Sequence, residues 1–311
     1  MKKILILLVI ITIAITGVWA NGQSEKSDGM KVGMTIQDLN NQVWASRAVA
    51  LKKKIETNGG SFSYVGCDNN ASKQISQIEN FVAAGVDIIM VHPADDNAIN
   101  SALKNVPDNI KVFVYDSDLE NGDVRFLLDN YEAGKLIGKM AAEWINEKLG
   151  GKAEVAIINW PQLEILLERE NGIRDSLAAI APKAKVVAAA PALTPANAIT
   201  AVETMLQAHP NIQIVCSIGG GGAAGANEAF KAAGMLDDKI GVFASDATTP
   251  ELQAMVNGEA CRFSIMYTGT SEDAAELIYG WLEKMYTGAP IDSRVYHVFV
   301  PVTPANAKDY M

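Results

Sequence analysis

Residues 83–97 read Ala-Ala-Gly-Val-Asp-Ile-Ile-Met-Val-His-Pro-Ala-Asp-Asp-Asn, and this stretch decides the fold. Small residues closing on Gly85 end a helix, an apolar β run follows over Val86–Val91, and His92-Pro93 breaks into a polar loop before the next helix. Apart from Asp87 at its entry the run has no polar residue. A strand without a polar face needs cover on both sides, which a parallel sheet with helices above and below provides. The alternative, a buried helical segment, does not suit so short a run.

The same rhythm occurs in two series. In the first, strands are expected near Lys31–Ile36, Ser61–Gly66, Val86–Val91, Lys111–Tyr115 and Val124–Leu128. In the second, after Asn130 and a helix through Ile145, they are expected near Ala153–Ile158, Ala184–Ala189, Ile212–Ser217, Ile240–Ala244 and Arg262–Met266. Two such series predict an α/β protein of two similar doubly wound parallel-sheet lobes, each a right-handed succession of β-α-β crossovers. No low-complexity linker separates them, so a short shared hinge is expected. At 311 residues and 49% hydrophobic content the chain has room for two real cores.

The first twenty residues stand apart. Lys2 and Lys3 precede an apolar run from Ile4 to Val18, and Val18-Trp19-Ala20 leads into polar Asn21-Gly22-Gln23-Ser24. This pattern predicts a secretory signal cleaved after Ala20, with residues 21–30 as a disordered lead-in and a periplasmic mature protein. A retained membrane anchor is the competing reading, because Ile4–Ala20 is close to spanning length. Removing the two lysines takes the formal charge from −10 to −12, a poor match for nucleic acid or anionic lipid. Cys67, Cys216 and Cys261 are an odd, scattered set in or beside apolar runs, which predicts buried thiols rather than a disulfide framework.

In open sheets of this type ligands bind beyond the carboxyl ends of the strands. The loops there carry Gln37 to Asn41, Asp68 to Asn70, His92 with Asp95-Asp96, Asp116 to Asp118, Asn159-Trp160, Gly219 to Gly222, and Asp246. Asp68 to Asn70 and Asp95-Asp96 are expected to be turn and helix-capping residues. No catalytic or metal constellation emerges. His92, His209 and His297 stand alone, and Asp116-x-Asp118-x-Glu120 fails as a calcium loop, with Asn121 at the glycine position and Leu127 at the twelfth.

Leu39-Asn40-Asn41 after the first strand, Gly85-Val86-Asp87-Ile88-Ile89 with Pro93, Asp116 ending the fourth strand, Arg169-Glu170-Asn171-Gly172-Ile173, His209-Pro210 and Asp246 together resemble the ribose/galactose-type periplasmic sugar-binding proteins, over about Lys31 to Val302. The resemblance implies the type I periplasmic binding protein fold, with lobes joined by three crossovers and a sugar held between them. It also implies delivery to the permease of an ABC importer. On that pattern the first lobe takes 31–130 plus 267–293 and the second 131–266 plus 294–311, with a hinge near Asn130, Tyr267 and Arg294. A chemoreceptor is a further expected partner and a monomer the expected state. Carried over residue by residue, the resemblance places ligand contacts at Gln37, Asn41, Trp44, Asp116, Arg169 and Asp246. The chain departs from the ribose pattern at Ser117, at Gly219-Gly220 and at Met266, which leaves the identity of the sugar open.

A sugar presents apolar ring faces and a belt of hydroxyls, so a site needs flat aromatics with in-plane donors and acceptors. Trp44, expected to be partly exposed in an empty cleft, Tyr115 and Trp160 supply the first, and Asn41, Asp116, Asn159, Arg169 and Asp246 the second. Arg169, in Glu-Arg-Glu, also reads as an exposed ion pair. Three readings compete. A receptor for a nucleoside or signalling molecule is open on the same scaffold. Sugar-responsive repressors share it, but carry a basic DNA-reading helix pair where this chain has the signal-like run. Gly220-x-Gly222-x-x-Gly225, with Asp246 ending the next strand, formally meets a dinucleotide fingerprint and raises an NAD-dependent oxidoreductase. That fingerprint normally opens the first unit of a nucleotide domain, not the third of a second lobe, so no enzyme activity and no cofactor are expected.

Overall fold

The computed structural model describes residues 29–39 and 42–311. The expected signal segment, most of the lead-in, and Asn40 and Asn41 lie outside the described residues. The opening stretch forms what its pattern predicts. Helix α2 (Ala71–Ala83) closes through Ala84 and Gly85, the latter at φ +65°, and strand β3 (Ile88–Val91) has all four residues fully buried. Strand pairing begins two residues later than expected because Asp87 serves as a clip. Its carboxylate accepts from the amide of Lys31 at 2.7 Å and its own amide donates to the Lys31 carbonyl at 2.8 Å, which sets β3 in register beside β1 (Lys31–Ile36). Asn70 caps α2 and Asp95 caps α3 (Asp96–Leu103), each accepting from the amide three residues on, as expected of them.

The first sheet runs β2 (Ser61–Gly66), β1, β3, β4 (Lys111–Tyr115), β5 (Val124–Leu127), and the second runs β7 (Lys185–Pro191), β6 (Glu154–Asn159), β8 (Ile212–Ser217), β9 (Gly241–Ser245), β10 (Cys261–Tyr267). All these pairings are parallel, and strand order reverses beside β1 and beside β6. Each sheet packs helices on both faces, giving two apolar cores per lobe.

The lobes exchange chain three times. After β5 the chain enters α4 (Asn130–Leu149), whose Ala133, Ile137, Ala141 and Ile145 pack on the second sheet. After β10 it returns through α9 (Ser271–Thr287), whose Ala274, Ile278 and Leu282 join the core under the first sheet with Phe113 and Phe126. The third exchange corrects the expected boundary. Arg294 does not begin the second lobe's share; β11 (Arg294–Tyr296) pairs in parallel with β5 of the first sheet, and only β12 (Phe299–Val302) adds to the second, antiparallel to β10. The run 294–296 is too short and too exposed to announce a strand by pattern, and Arg294 is held in place by its ion pair with Asp118 at 2.7 Å. All three cysteines are buried free thiols, and burial pushes Cys216 up to about 12.

Candidate ligand-binding cleft

Residues that follow the carboxyl ends of β4, β5, β9 and β10 meet around one cavity of about 760 Å³, with contributions from the start of α1 (Gln42–Thr57) and the third crossing. Asp116 and Asp246 both line it, one from each lobe. They are the same corner built twice. Each follows its strand in left-handed backbone, Asp116 at φ +57° and Asp246 at φ +92°. Each donates its amide to the neighbouring strand at 2.8 Å, to Phe126 of β5 and to Ile265 of β10 respectively. Aspartate tolerates that conformation better than most residues, and it turns the carboxylate off the end of the sheet.

Their anchors differ. Asp116 Oδ1 lies 2.9 Å from Nε2 of His297, a ring buried under the third crossing, yet its side chain remains 33% exposed and so open to a ligand. A carboxylate only accepts, so Nε2 carries a proton, and Nδ1 on the far side of the ring is hydrogen-bonded to the Thr268 hydroxyl at 2.7 Å. Asp246 Oδ2 instead accepts from the amide of Gly220 at 2.9 Å, the first residue of α7 (Gly220–Ala232), where a helix favours negative charge. Behind it lies Glu251, 1% exposed, which accepts from the Thr248 amide, the Thr248 hydroxyl and the Ser264 hydroxyl. Burial, opposed by these donors and aided by the charge of Asp246, raises its carboxyl to about 7.

Arg169 sits beside Gly219 and Asp246 in a smaller recess of about 150 Å³ in the second lobe. It is not the exposed ion pair its Glu-Arg-Glu context suggests. Gly134 of α4 and Gly172 of α5 (Glu164–Ile180) let the two helix backbones touch, since a Cβ at either would overlap the partner's main chain. At that separation the guanidinium is buried and donates to Asn130 Oδ1, to the Ile218 carbonyl and, at 3.1 Å, to the Ser245 hydroxyl. It thereby ties the first crossing to the carboxyl ends of β8 and β9.

Trp44 lines the cavity but is only 9% exposed, which corrects the expectation of a partly exposed platform. It stacks on His92 at 3.9 Å and meets Tyr115 edge-on at 4.6 Å, so the ring belongs to the first lobe's core and offers the cleft little surface. His92, its pKa lowered by burial, is a neutral partner in that stack. Met266 and Gly219 line the cleft and the recess as expected. Gln37, Asn159 and Trp160 line neither. The backbone of Gln37 holds the turn at Asn69, Asn159 donates to Glu170 at 2.8 Å, and Trp160 packs on the second core. Asn41 is outside the described residues.

The residues missed from sequence are those whose roles are long-range. Arg47 donates to the Tyr115 hydroxyl at 3.1 Å and to the carbonyl of Tyr267, on the second crossing, at 2.9 Å. Its spacing of three from Trp44 puts both on one face of α1, which was the available signal. His297, dismissed as solitary, had none. The dinucleotide fingerprint is explained otherwise. A Cβ at Gly222 would overlap Ser217 and Ile158, and one at Gly225 would overlap Ala198 and Pro195, so these glycines serve close packing. The acid of the motif caps the helix itself.

The sequence matches the family described as Periplasmic binding protein domain over residues 32–279. It is 31% identical to the ribose import binding protein of Bacillus subtilis (strain 168), over 70% of this chain and 70% of that one. It is 26% identical to the D-xylose-binding periplasmic protein of Escherichia coli (strain K12), over 74% and 70%. Among solved structures, a sugar-binding protein of a sugar ABC transporter from Bacillus halodurans superposes with a TM-score of 0.75 at 19% identity, covering 90% of this chain and all 100% of that one. A solute-binding protein from Actinobacillus succinogenes, solved with bound D-allose, superposes at 0.72 with 22% identity over 90% and 100%. The matched span runs from β1 into α9 and takes in both cleft aspartates, and this chain belongs to the periplasmic binding protein domain family.

Proposed function

We propose that the protein captures a small polyhydroxylated solute, a monosaccharide, between its lobes and delivers it to the permease of an ABC importer, with no chemistry performed on it. The observation that carries this reading is the pair Asp116 and Asp246, facing one cavity from opposite lobes with their carboxylates fixed by the protein. A ligand that bonds to both stabilises the closed form through interactions the open form lacks. A carboxylate accepts from two hydroxyls at once, the pattern a sugar offers. Trp44 and the thioether of Met266 supply apolar contact, and Arg169 and Gly219 shape the recess beside Asp246. Relatives named for ribose and xylose, both pentoses, support a monosaccharide, while Ser117, Gly219-Gly220 and Met266 depart from the ribose pattern.

On this reading the N-terminal run is a signal removed after Ala20, the mature protein works in the periplasm as a monomer, and a chemoreceptor is a further partner for the closed form. Native mass spectrometry of protein purified from the periplasm tests the proposal. The expected spectrum carries an added mass equal to one pentose or hexose, lost on unfolding. A nicotinamide dinucleotide in its place, or failure to take up any added pentose or hexose, overturns it.

A further inference from the structure

His297 lies between β11 and β12, on the third crossing, and its side chain reaches both the cleft and the second crossing. Its Nε2–H holds Asp116, and its Nδ1 is hydrogen-bonded to the hydroxyl of Thr268, three residues before α9 on the second crossing. Its own amide donates to the carbonyl of Leu127 at the first crossing, at 3.0 Å, and the amide of Thr268 donates to Val298 on the third, at 2.7 Å. The ring stacks on Phe126 at 3.9 Å, so its plane is set by the first lobe's core. All three crossings therefore meet at His297, through its ring and its backbone.

The residues at the two ends of this relay share a second property. Asp116 and Thr268 both stand in left-handed backbone, at φ +57° and +61°, and for a β-branched residue such as Thr268 that is a strained conformation. Strained backbone persists where surrounding bonds over-determine it, and it is a natural place for a small displacement to switch a neighbouring segment. In the second lobe the link to a crossing is less direct, running from Asp246 through Ser245 and Arg169 to Asn130. Asp246 is held by Gly220 and Ser245, both of its own lobe.

We propose that His297 is a positioning residue that couples capture at Asp116 to the hinge, orienting the carboxylate toward ligand and transmitting its displacement through Thr268 to the second and third crossings. The proposal rests on the sugar-binding reading only for the identity of the ligand. A ligand hydroxyl that draws on the Asp116 carboxylate alters the bond to Nε2. Because Phe126 holds the ring plane, the change is passed to Nδ1 and Thr268. The equilibrium between open and closed forms then depends on occupancy of the first lobe alone, before the second lobe makes contact.

Three variants separate the parts. His297→Gln places an amide donor near the Nε2 position but leaves Thr268 unpaired, Thr268→Val removes only the hydroxyl, and His297→Phe removes both bonds while keeping the stack. Inter-lobe distances are measured by electron spin resonance between labels on exposed Lys104 and Glu203, one on each lobe, with no ligand present. Affinities are measured by calorimetry with D-ribose, D-xylose, L-arabinose and D-allose. The distance distribution is expected to broaden in all three variants. Affinity is expected to hold in His297→Gln and to fall about tenfold or more in His297→Phe, the effect of losing a hydrogen bond to a charged group. Thr268→Val and His297→Gln with the parent's distance distribution, in protein whose circular dichroism is unchanged, overturn the coupling. If no sugar binds the parent, the sugar reading fails while the distances still decide the relay. If His297→Phe does not fold, the other two decide it.

Discussion

Asp116 and Asp246 end equivalent strands, adopt the same left-handed corner and donate their amides to the next strand in the same way, yet one is anchored by a side chain from the hinge and the other by a helix of its own lobe. The common part follows from the doubly wound sheet, which presents each strand end to the same gap whatever the neighbouring sequence. The difference follows from what the chain places behind each corner. Beside β5 lie β11 and the third crossing, whereas beside β9 lies a glycine start to α7 whose first amide needs an acceptor. One corner bonds a hinge side chain directly, and the other bonds only residues of its own lobe and reaches the first crossing through Ser245 and Arg169. The supporting charges diverge as well. Near the first corner Asp118 is held below the usual carboxylate range by its bond to Arg294, and behind the second Glu251 is raised by burial.

The largest expected effect tests the support behind the second corner. Arg169→Met leaves the buried Oδ1 of Asn130 without its donor and strips a charged donor from the Ile218 carbonyl and the Ser245 hydroxyl, and should cost roughly 3–5 kcal/mol in denaturant unfolding. Arg47→Met on the first lobe, half-buried, should cost about 1 kcal/mol. Equal losses would erase the contrast between the two corners.

The next effect concerns pH. With its carboxyl moved from 4.5 to about 7, folded Glu251 holds a proton that the unfolded chain has already released between those values. Its contribution is complete below about pH 4.5 and is lost as pH rises through about 7, and it amounts to at most about 3 kcal/mol. Glu251→Gln should therefore flatten the stability profile across that window, as followed by thermal unfolding. Asp118, with its lowered value, acts in the opposite sense and at lower pH, and its exposure keeps the effect small. His92, lowered by burial, acts in the opposite sense in both proteins, so a difference in stability between parent and Glu251→Gln that stays constant from pH 5 to 7 would show that Glu251 is not buried as described.

The smallest effect in free energy bears most directly on function. Asp116→Gly and Asp246→Gly each remove a carboxylate while leaving the backbone a residue suited to positive φ, and each should weaken sugar binding by about tenfold or more. Stopped-flow binding should then divide them. If ligand loads on the first lobe, Asp116→Gly slows association, and Asp246→Gly, which acts in the closed form, speeds release. Equal effects on both rates would make the corners interchangeable.

The extent to which the site was legible tracks the range of the interactions involved. Asn70 and Asp95 were readable as caps because a cap bonds three residues away. Asp116 and Asp246 were readable because each ends a strand whose pattern is local. Trp44 was placed correctly at the cleft but with the wrong exposure, since its cover comes from His92 and Tyr115, far along the chain. Asn159 and Trp160 follow a strand end just as Asp116 does, yet they turn into the second lobe to meet Glu170 and the core.

By itself the sequence determined the alternation of strand and helix, the two-lobed α/β class, the edge of the sheets on which the cleft opens and the two aspartates at that edge, because periodicity, caps and strand ends are written within a few residues. Only the tertiary structure decided that Arg294–Tyr296 extend the first sheet and that Arg169 is buried support rather than an exposed ion pair. It alone joined His297 to Asp116 across 181 residues of chain. Those contacts depend on where the chain passes between lobes, and no local pattern of side chains records which distant segment will arrive there.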